Sequence, residues 1–300
     1  MLSCRRVSKS PVREDPVNRN PIAVFDSGLG GLSVVHHLRQ ELPGEAIVYF
    51  GDTARVPYGS KSRRTVANFA LQDARFLLQF RPKLLVAACH TASALALDVL
   101  EAELPLPVVG VIEPGARAAV RLAQGRPIAV LGTEATIASE AYPAAIRAVA
   151  PHVEVVSQAC PLLVPMAEEG RGSDDPLVRM AVDEYLAPLR GRGVRVVVLA
   201  CTHYPLLRDA IAASLGAAVE IVDCGRETSL AVRQMLADSD SLSPAVESGN
   251  MRCFVSDNPA RFGRIGSRFL GQAIDEVELV APERYVGAST SEHRGQESSV

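Results

Sequence analysis

Short apolar runs rich in β-branched residues alternate with longer stretches of helical periodicity along most of the chain. This alternation is typical of α/β proteins with parallel sheets. The apolar runs are continuous, with few polar residues between, which predicts strands that are buried on both faces. The predicted strands are residues 22–26, 46–52, 83–89 and 107–112 in the first half of the chain, and residues 127–133, 153–160, 194–201 and 218–224 in the second.

Each half of the chain contains one strand that ends in a cysteine and leads into a helical pattern: LLVAACHTASALALDVL and VVVLACTHYPLLRDAI. The repeat predicts an α/β fold of two similar lobes, with mainly parallel sheets flanked by helices and the active site in the cleft between them. We assign residues 22–113 and 224–285 to lobe A, and residues 114–223 to lobe B. Residues 1–21 and 286–300 are polar, which predicts a disordered extension at each end.

The composition excludes several classes of protein. The chain has 300 residues, of which 48% are hydrophobic and 22% charged, and its formal net charge is −3. This charge lacks the basic excess of nucleic-acid-binding proteins, and no apolar run is long enough to span a bilayer. The first twenty residues lack the apolar core of a signal peptide. We therefore expect a cytoplasmic protein that binds neither nucleic acid nor membranes.

The cysteines predict free thiols rather than a metal site or a disulfide framework, because no two of the six have CxxC spacing. Cys89 and Cys201 end matching strands, and parallel α/β sheets bind ligands at the carboxyl ends of their strands. A thiol at a helix N-terminus has a lowered pKa, so both are predicted to be reactive. A lone buried cysteine is more often a packing residue, which is our interpretation of Cys224 and Cys253.

Two further features favour different chemistries. His203 lies two residues after Cys201 and could hold or donate a proton beside that thiol. The segment FDSGLGGLSVV follows the first predicted strand, and Gly28 and Gly30 fit part of a dinucleotide-binding fingerprint. Ser33 replaces the third glycine of that fingerprint, and Asp26 would repel a pyrophosphate. An NAD(P)-dependent oxidoreductase is therefore one alternative.

The lysines argue against pyridoxal phosphate chemistry, which requires a lysine Schiff base. The chain has only Lys9, Lys61 and Lys83. Lys9 lies in the N-terminal extension, Lys61 follows a loop and Lys83 begins a strand. We therefore expect a reaction that uses no cofactor and no metal ion.

Six segments resemble those of the glutamate racemases in their order and approximate spacing: FDSGLGG, GDTARVPYGSKS, ACHTAS, VIEPG, ACPLLVPMAEEG and ACTHYPLL. The resemblance runs from about residue 22 to residue 223 and continues more loosely to about residue 285. It implies a cofactor-independent enzyme that interconverts L- and D-glutamate and supplies D-glutamate for peptidoglycan. It also implies a homodimer.

The resemblance also assigns roles to residues. It implies that Cys89 and Cys201 are the paired acid and base on opposite faces of the substrate's α-carbon. The resemblance further implies that the two thiols are assisted by Asp26, His203 and Glu168, with Glu169 as an alternative to Glu168. The substrate contacts that it implies are Asp26, Ser27, Tyr58, Gly59, His90, Thr91, Thr202 and His203.

One residue departs from the family pattern within the site. The family has Ala-Cys-Asn-Thr where this chain has His90 between Cys89 and Thr91. A neutral histidine could donate to a substrate carboxylate, whereas a protonated one would lower the pKa of Cys89. The substitution is the main support for a second alternative, a non-catalytic binding or regulatory protein on a racemase scaffold. The residues alone do not separate glutamate from aspartate as the substrate.

Overall fold

The structure is a computed structural model that describes residues 19–245 and 247–286. Most of the two predicted disordered extensions, residues 1–18 and 287–300, lies outside the described residues. Within the described ranges, no helix combines the length and the apolar character that a membrane span needs.

Strands and helices alternate along the described residues, as the hydrophobic pattern predicts. The strands are β1 (Ile22–Asp26), β2 (Ile47–Gly51), β3 (Leu84–Ala87), β4 (Val108–Gly110), β5 (Ile128–Gly132), β6 (Val155–Ala159), β7 (Val196–Ala200), β8 (Glu220–Val222), β9 (Met251–Val255) and β10 (Val277–Leu279). The helices are α1 (Leu32–Glu41), α2 (Arg63–Leu78), α3 (His90–Leu95), α4 (Leu97–Glu103), α5 (Ile112–Ala123), α6 (Glu134–Ala138), α7 (Ala141–Val149), α8 (Leu163–Glu168), α9 (Pro176–Leu186), α10 (Arg208–Leu215), α11 (Cys224–Asp238) and α12 (Pro259–Leu270).

The strands form two parallel sheets, which confirms the predicted fold class. The first sheet has the order β10-β9-β2-β1-β3-β4 and the second has the order β6-β5-β7-β8. β9 and β10 bring residues from the last fifth of the chain into the first sheet, and β10 is not among the predicted strands. The predicted lobe boundaries near residues 113 and 223 stay a prediction.

Two details of the predicted strands are wrong. The predicted strands 107–112 and 218–224 are too long: β4 ends at Gly110 and Ile112 already begins α5, and β8 ends at Val222 and Cys224 already begins α11. Burial on both faces is found in β1, β2, β5 and β7. It fails for β6, whose five residues are all partly exposed, and for β8, in which two of three residues are partly exposed, because both are edge strands of the second sheet.

Each sheet reverses its strand order at one point. β2 lies on one side of β1 and β3 lies on the other, and β5 is flanked in the same way by β6 and β7. Loops that follow the strands at such a reversal diverge and leave a crevice at the carboxyl ends. Asp26 and Cys89 stand at this point of the first sheet, and Thr133 and Cys201 stand at the same point of the second.

The two sheets share one apolar core. Helix α11 packs against both α1 and α5, and the core runs from β1 residues such as Val24 to β7 residues such as Val198. A separate apolar cluster, which includes Phe25 and Phe50, covers the other face of the first sheet. Because a continuous core crosses from one sheet to the other, the carboxyl ends of both sheets are held in a fixed relation.

A buried ionic network fixes the loop that follows β2. Arg55 Nε lies 2.6 Å from Asp52 Oδ2, and its Nη2 lies 2.7 Å from Asp73 Oδ1 on α2. The Tyr58 hydroxyl donates to Asp52 Oδ2 at 2.5 Å, and its oxygen lies 2.9 Å from Asp73 Oδ2. Both carboxylates are fully buried, so their charges depend on these partners. The network therefore determines where residues 55–60 lie.

We expect Arg55→Met to lower the free energy of unfolding by about 3 to 5 kcal/mol, because it leaves two buried carboxylates without their cation. Arg63→Met is the matched control. Arg63 pairs with Asp98, but both side chains are more than half exposed, so its loss should cost about 1 kcal/mol or less. Urea unfolding measures both values. Equal small losses would mean that an aspartate takes up a proton in place of the arginine.

Candidate active site

A small cavity opens where the strand ends of the two sheets meet. The residues that line it on the side of the first sheet are Ser27, Pro57, Tyr58, Gly59, Cys89, His90 and Thr91, and those on the side of the second sheet are Thr133, Val164, Ala200, Cys201, Thr202 and His203. The cavity thus brings together the two predicted cysteines and seven of the eight predicted substrate contacts. The eighth, Asp26, lies directly behind its wall, where Thr202 bonds to it.

Cys89 forms the first wall of the cavity. It follows β3 and stands at the N-cap of α3, and its Sγ lies 3.6 Å from the Ser27 hydroxyl oxygen. Burial raises the pKa of the Cys89 thiol to about 12, the charge of Asp26 adds to this effect, and the Ala92 amide of α3 only partly opposes it. The expectation of a lowered pKa is therefore wrong for Cys89. One turn of helix does not offset complete desolvation.

Asp26 joins the two walls of the cavity. Its side chain is fully buried, and its Oδ2 accepts a hydrogen bond from the Gly28 amide at 2.9 Å. Its Oδ1 accepts one from the Thr202 hydroxyl at 3.4 Å. Burial raises the pKa of Asp26, while the charge of His203 lowers it. Asp26 is therefore bonded across the cleft rather than to the Cys89 sulfur.

Cys201 forms the opposite wall. It follows β7 and is succeeded by a turn and a 3₁₀ helix at Tyr204–Leu207, and α10 begins only at Arg208. The prediction that Cys201 stands at a helix N-terminus is therefore wrong. Its partner is a side chain instead, because His203 Nδ1 lies 3.8 Å from the Cys201 sulfur.

His203 is held by a carboxylate on its other side. Its Nε2 lies 3.2 Å from Glu168 Oε1. Burial lowers the pKa of His203, but the hydrogen bonds to Cys201 and Glu168 outweigh this effect and raise it to about 10. The ring is therefore an imidazolium at neutral pH. Cys201, His203 and Glu168 form one hydrogen-bonded chain in which positive charge lies next to the sulfur.

The structure distinguishes the two acidic candidates of the MAEEG segment. Glu168 ends α8 and its side chain is 16% exposed, facing His203. Glu169 is 62% exposed and pairs with Arg171 outside the cavity. Consecutive residues of a helix point about 100° apart, so only one of the two can face the site.

The glycine-rich loop after β1 serves packing between the halves rather than nucleotide binding. A Cβ atom at Gly30 would collide with the Thr202 hydroxyl and would lie 2.7 Å from the His203 ring. A Cβ atom at Gly31 would lie 2.5 Å from that of Asp26. The second half of the chain therefore occupies the place that a pyrophosphate would need, which argues against the dinucleotide alternative.

Three of the residues that were predicted to contact the substrate make contacts within the protein instead. The Tyr58 hydroxyl points into the buried carboxylate network, away from the cavity. Gly59 packs against Thr133, because an added Cβ would lie 2.6 Å from the Cβ of that residue. The Thr91 hydroxyl lies 3.0 Å from Thr133 Oγ1 and 3.1 Å from Thr136 Oγ1. Sequence reasoning missed Thr133, although it ends the segment PIAVLGT, as Cys89 and Cys201 end theirs.

His90 is the one described residue whose side chain is buried with every polar atom unpartnered. Both of its ring nitrogens lack a hydrogen bond, and its ring stacks on Tyr142 at 6.1 Å between centroids. Burial lowers the pKa of His90 to about 3. The ring is therefore neutral at physiological pH and does not lower the pKa of Cys89. It brings one donor and one acceptor to the cavity wall.

Comparison with known sequences indicates the same family that the six segments of the sequence resemble. The sequence profile of the Asp/Glu/Hydantoin racemase family matches residues 29–232. A glutamate racemase from Geobacter metallireducens is 49% identical over 262 residues, which make up 87% of this chain and 97% of the relative.

Solved structures give the same result. A glutamate racemase isoform from Bacillus anthracis has a TM-score of 0.84 and 38% identity, over 88% of this chain and 98% of that chain. The glutamate racemase from Francisella tularensis, solved with D-glutamate, has a TM-score of 0.83 and 37% identity, over 89% of this chain and 100% of that chain. Paired cysteines in a cleft between two parallel sheets, together with these similarities, show that the chain belongs to the glutamate racemases of the Asp/Glu/Hydantoin racemase family.

Proposed function

We propose that this protein interconverts L- and D-glutamate by moving the α-proton between Cys89 and Cys201. The observation that carries the proposal is that the two thiols line one cavity and come from different sheets. Racemisation needs a group on each face of the α-carbon, because a single base would return the proton to the face from which it came.

The proton balance is simple. One cysteine, as thiolate, removes the α-proton and becomes a thiol, while the other thiol donates its proton to the opposite face and becomes the thiolate. The enzyme in this form accepts the other enantiomer with the roles exchanged; before it accepts a second molecule of the same enantiomer, one thiol loses its proton to water and the other thiolate takes one up. The equilibrium constant between enantiomers is unity, so kcat/KM must be equal in the two directions.

The electrostatics of the site support distinct starting roles. Cys89 holds its proton, since burial raises its pKa to about 12. The imidazolium of His203 lies beside Cys201 and stabilises negative charge on that sulfur. The two walls therefore differ, with a protonated thiol on one and a sulfur beside a cation on the other. Asp26 and Glu168 assist from behind each wall.

Glutamate is the substrate that the relatives favour, because the similar proteins are glutamate racemases and one was solved with D-glutamate. The α-carbanion of an amino acid must be stabilised by hydrogen bonds to its carboxylate. Ser27 and the neutral ring of His90 line the cavity and supply such donors, while Thr202 lines it with its hydroxyl bonded to Asp26. The backbone amides around Tyr58 and Gly59 add to them, which assigns those two residues a main-chain role.

The proposal extends to the use of the product and to the compartment in which the reaction takes place. D-Glutamate is a component of bacterial peptidoglycan, so the product serves cell-wall synthesis. The described cysteines are all free thiols, and a reaction that uses two reduced thiols suits the reducing cytoplasm.

The proposal also includes a homodimer. Leu162, Leu177 and Met180 lie on the surface of the second half and are each at least half exposed. Exposed apolar side chains of this size are typical of surfaces that associate.

We expect Cys89→Ser and Cys201→Ser each to lower kcat/KM by at least about 10³-fold in both directions, because a serine hydroxyl is a far weaker acid than a thiol at the same position. Cys253→Ser, in a buried thiol of β9 outside the cavity, is the control. The assay is L-glutamate in D₂O without added cofactor, with NMR for α-deuteration and circular dichroism for inversion. Full activity in either cysteine variant would refute the two-thiol mechanism.

We expect His90→Leu to lower kcat/KM by about 10- to 100-fold, because it removes the donor that contacts the substrate. His90→Asn restores a donor of the family type and should retain activity within about tenfold of the parent. Neither variant should shift the pH profile between pH 6 and 9, since the pKa of His90 is about 3 and its ring is neutral there. Equal rates in His90→Leu and the parent would remove His90 from the substrate contacts.

A further inference from the structure

Helix α12 reaches the Cys201 wall from the opposite half of the molecule. It follows β9 of the first sheet and begins after Asn258, whose side chain accepts a hydrogen bond from the Arg261 amide at 3.1 Å. Its buried face includes Phe269, whose ring meets that of His203 edge-on at 5.4 Å between centroids. A helix from the C-terminal segment is thus in contact with a side chain of the second sheet's site loop.

Two arginines of α12 bond to the end of α8. Arg261 Nη2 donates to the Glu168 carbonyl oxygen at 3.2 Å and lies 3.6 Å from its Oε2. Arg268 donates to the Gly170 carbonyl oxygen. The two oxygens of the Glu168 carboxylate therefore have different partners: Oε1 faces His203 and Oε2 faces Arg261.

We propose that Arg261 is a positioning residue for the racemisation: it orients Glu168 so that this carboxylate stays paired with His203 beside Cys201. The inference rests on the proposed two-thiol function. Arg261 touches no reacting atom and acts through Glu168 alone.

Charge alternates along Arg261, Glu168 and His203, and the Cys201 sulfur follows next to His203. Burial raises the pKa of Glu168, but the hydrogen bond from His203 and the charges of His203 and Arg261 lower it below its ordinary value. An ionised Glu168 in turn stabilises the imidazolium of His203. Without Arg261, the Glu168 carboxylate loses one of its two cationic partners, and the Glu168 carbonyl oxygen loses the hydrogen bond that holds the backbone there.

Other charged groups near Glu168 do not replace Arg261. Asp257 lines the neighbouring cavity with Arg261 and Glu168, and Glu134 lines a second one beside Glu168. Both are acids and disfavour a carboxylate charge. Arg268 bonds to the backbone two residues further on. Among the described residues, only His203 and Arg261 pair with the Glu168 carboxylate.

We expect Arg261→Gln to lower kcat/KM about threefold to tenfold, the usual net value of one intramolecular hydrogen bond. The loss should be equal in both directions, because the equilibrium constant is unity. The acid limb of the kcat/KM profile should also move to higher pH, since Glu168 then takes up its proton more readily. The measurement is racemisation of each enantiomer by circular dichroism between pH 4.5 and 9.

Two variants complete the test. Arg261→Lys keeps the positive charge and should return the acid limb to its original pH, even if part of the rate loss persists. Arg264→Gln removes another arginine of α12, which is exposed and makes no ion pair with the described residues, and should change neither rate nor profile. Thermal unfolding of all three variants distinguishes a loss of stability from a change in the orientation of Glu168.

The outcomes are distinct. A shifted acid limb in Arg261→Gln that Arg261→Lys restores supports the positioning role. A rate equal to that of Arg264→Gln, or a lower rate with an unshifted limb, overturns it. If the parent protein itself does not racemise glutamate, the proposed function fails instead, and the experiment identifies which of the two is wrong.

Discussion

The close contact between the loop after β1 and the loop after β7 is the constraint on which the site depends. Gly30 lies so close to Thr202 and His203 that a side chain cannot be accommodated. The contact lets the Thr202 hydroxyl bond to Asp26 across the cleft. Since these loops end strands of different sheets, the contact sets the separation of the walls that carry Cys89 and Cys201.

Desolvation gives this small site its electrostatic character. Asp26 and His203 are buried and Glu168 is only 16% exposed, so the charge of each depends on its neighbours more than on water. Cys89 has only a hydroxyl and a weak helix terminus for support and keeps its proton. Cys201 has an imidazolium that Glu168 stabilises. Two thiols in similar sequence contexts thus acquire different charge environments.

Burial also determines the chemical effect of having His90 where the family has asparagine. At position 90 a histidine could have been a cation, and burial makes it neutral instead. A neutral imidazole can donate and accept a hydrogen bond, as an amide does. The residue is therefore compatible with the activity of the relatives, although its ring is larger and rests on Tyr142.

The sequence by itself determined the fold class, the strands that carry Cys89 and Cys201, and the family, because buried parallel strands and strand-end motifs are local patterns. It could not determine the protonation of Cys89, the partner of Cys201 or the choice between Glu168 and Glu169. These depend on burial and on residues distant in the chain, such as Thr133 and Arg261. Only the packing of two sheets and a C-terminal helix brings those residues together, and desolvation then decides their charges.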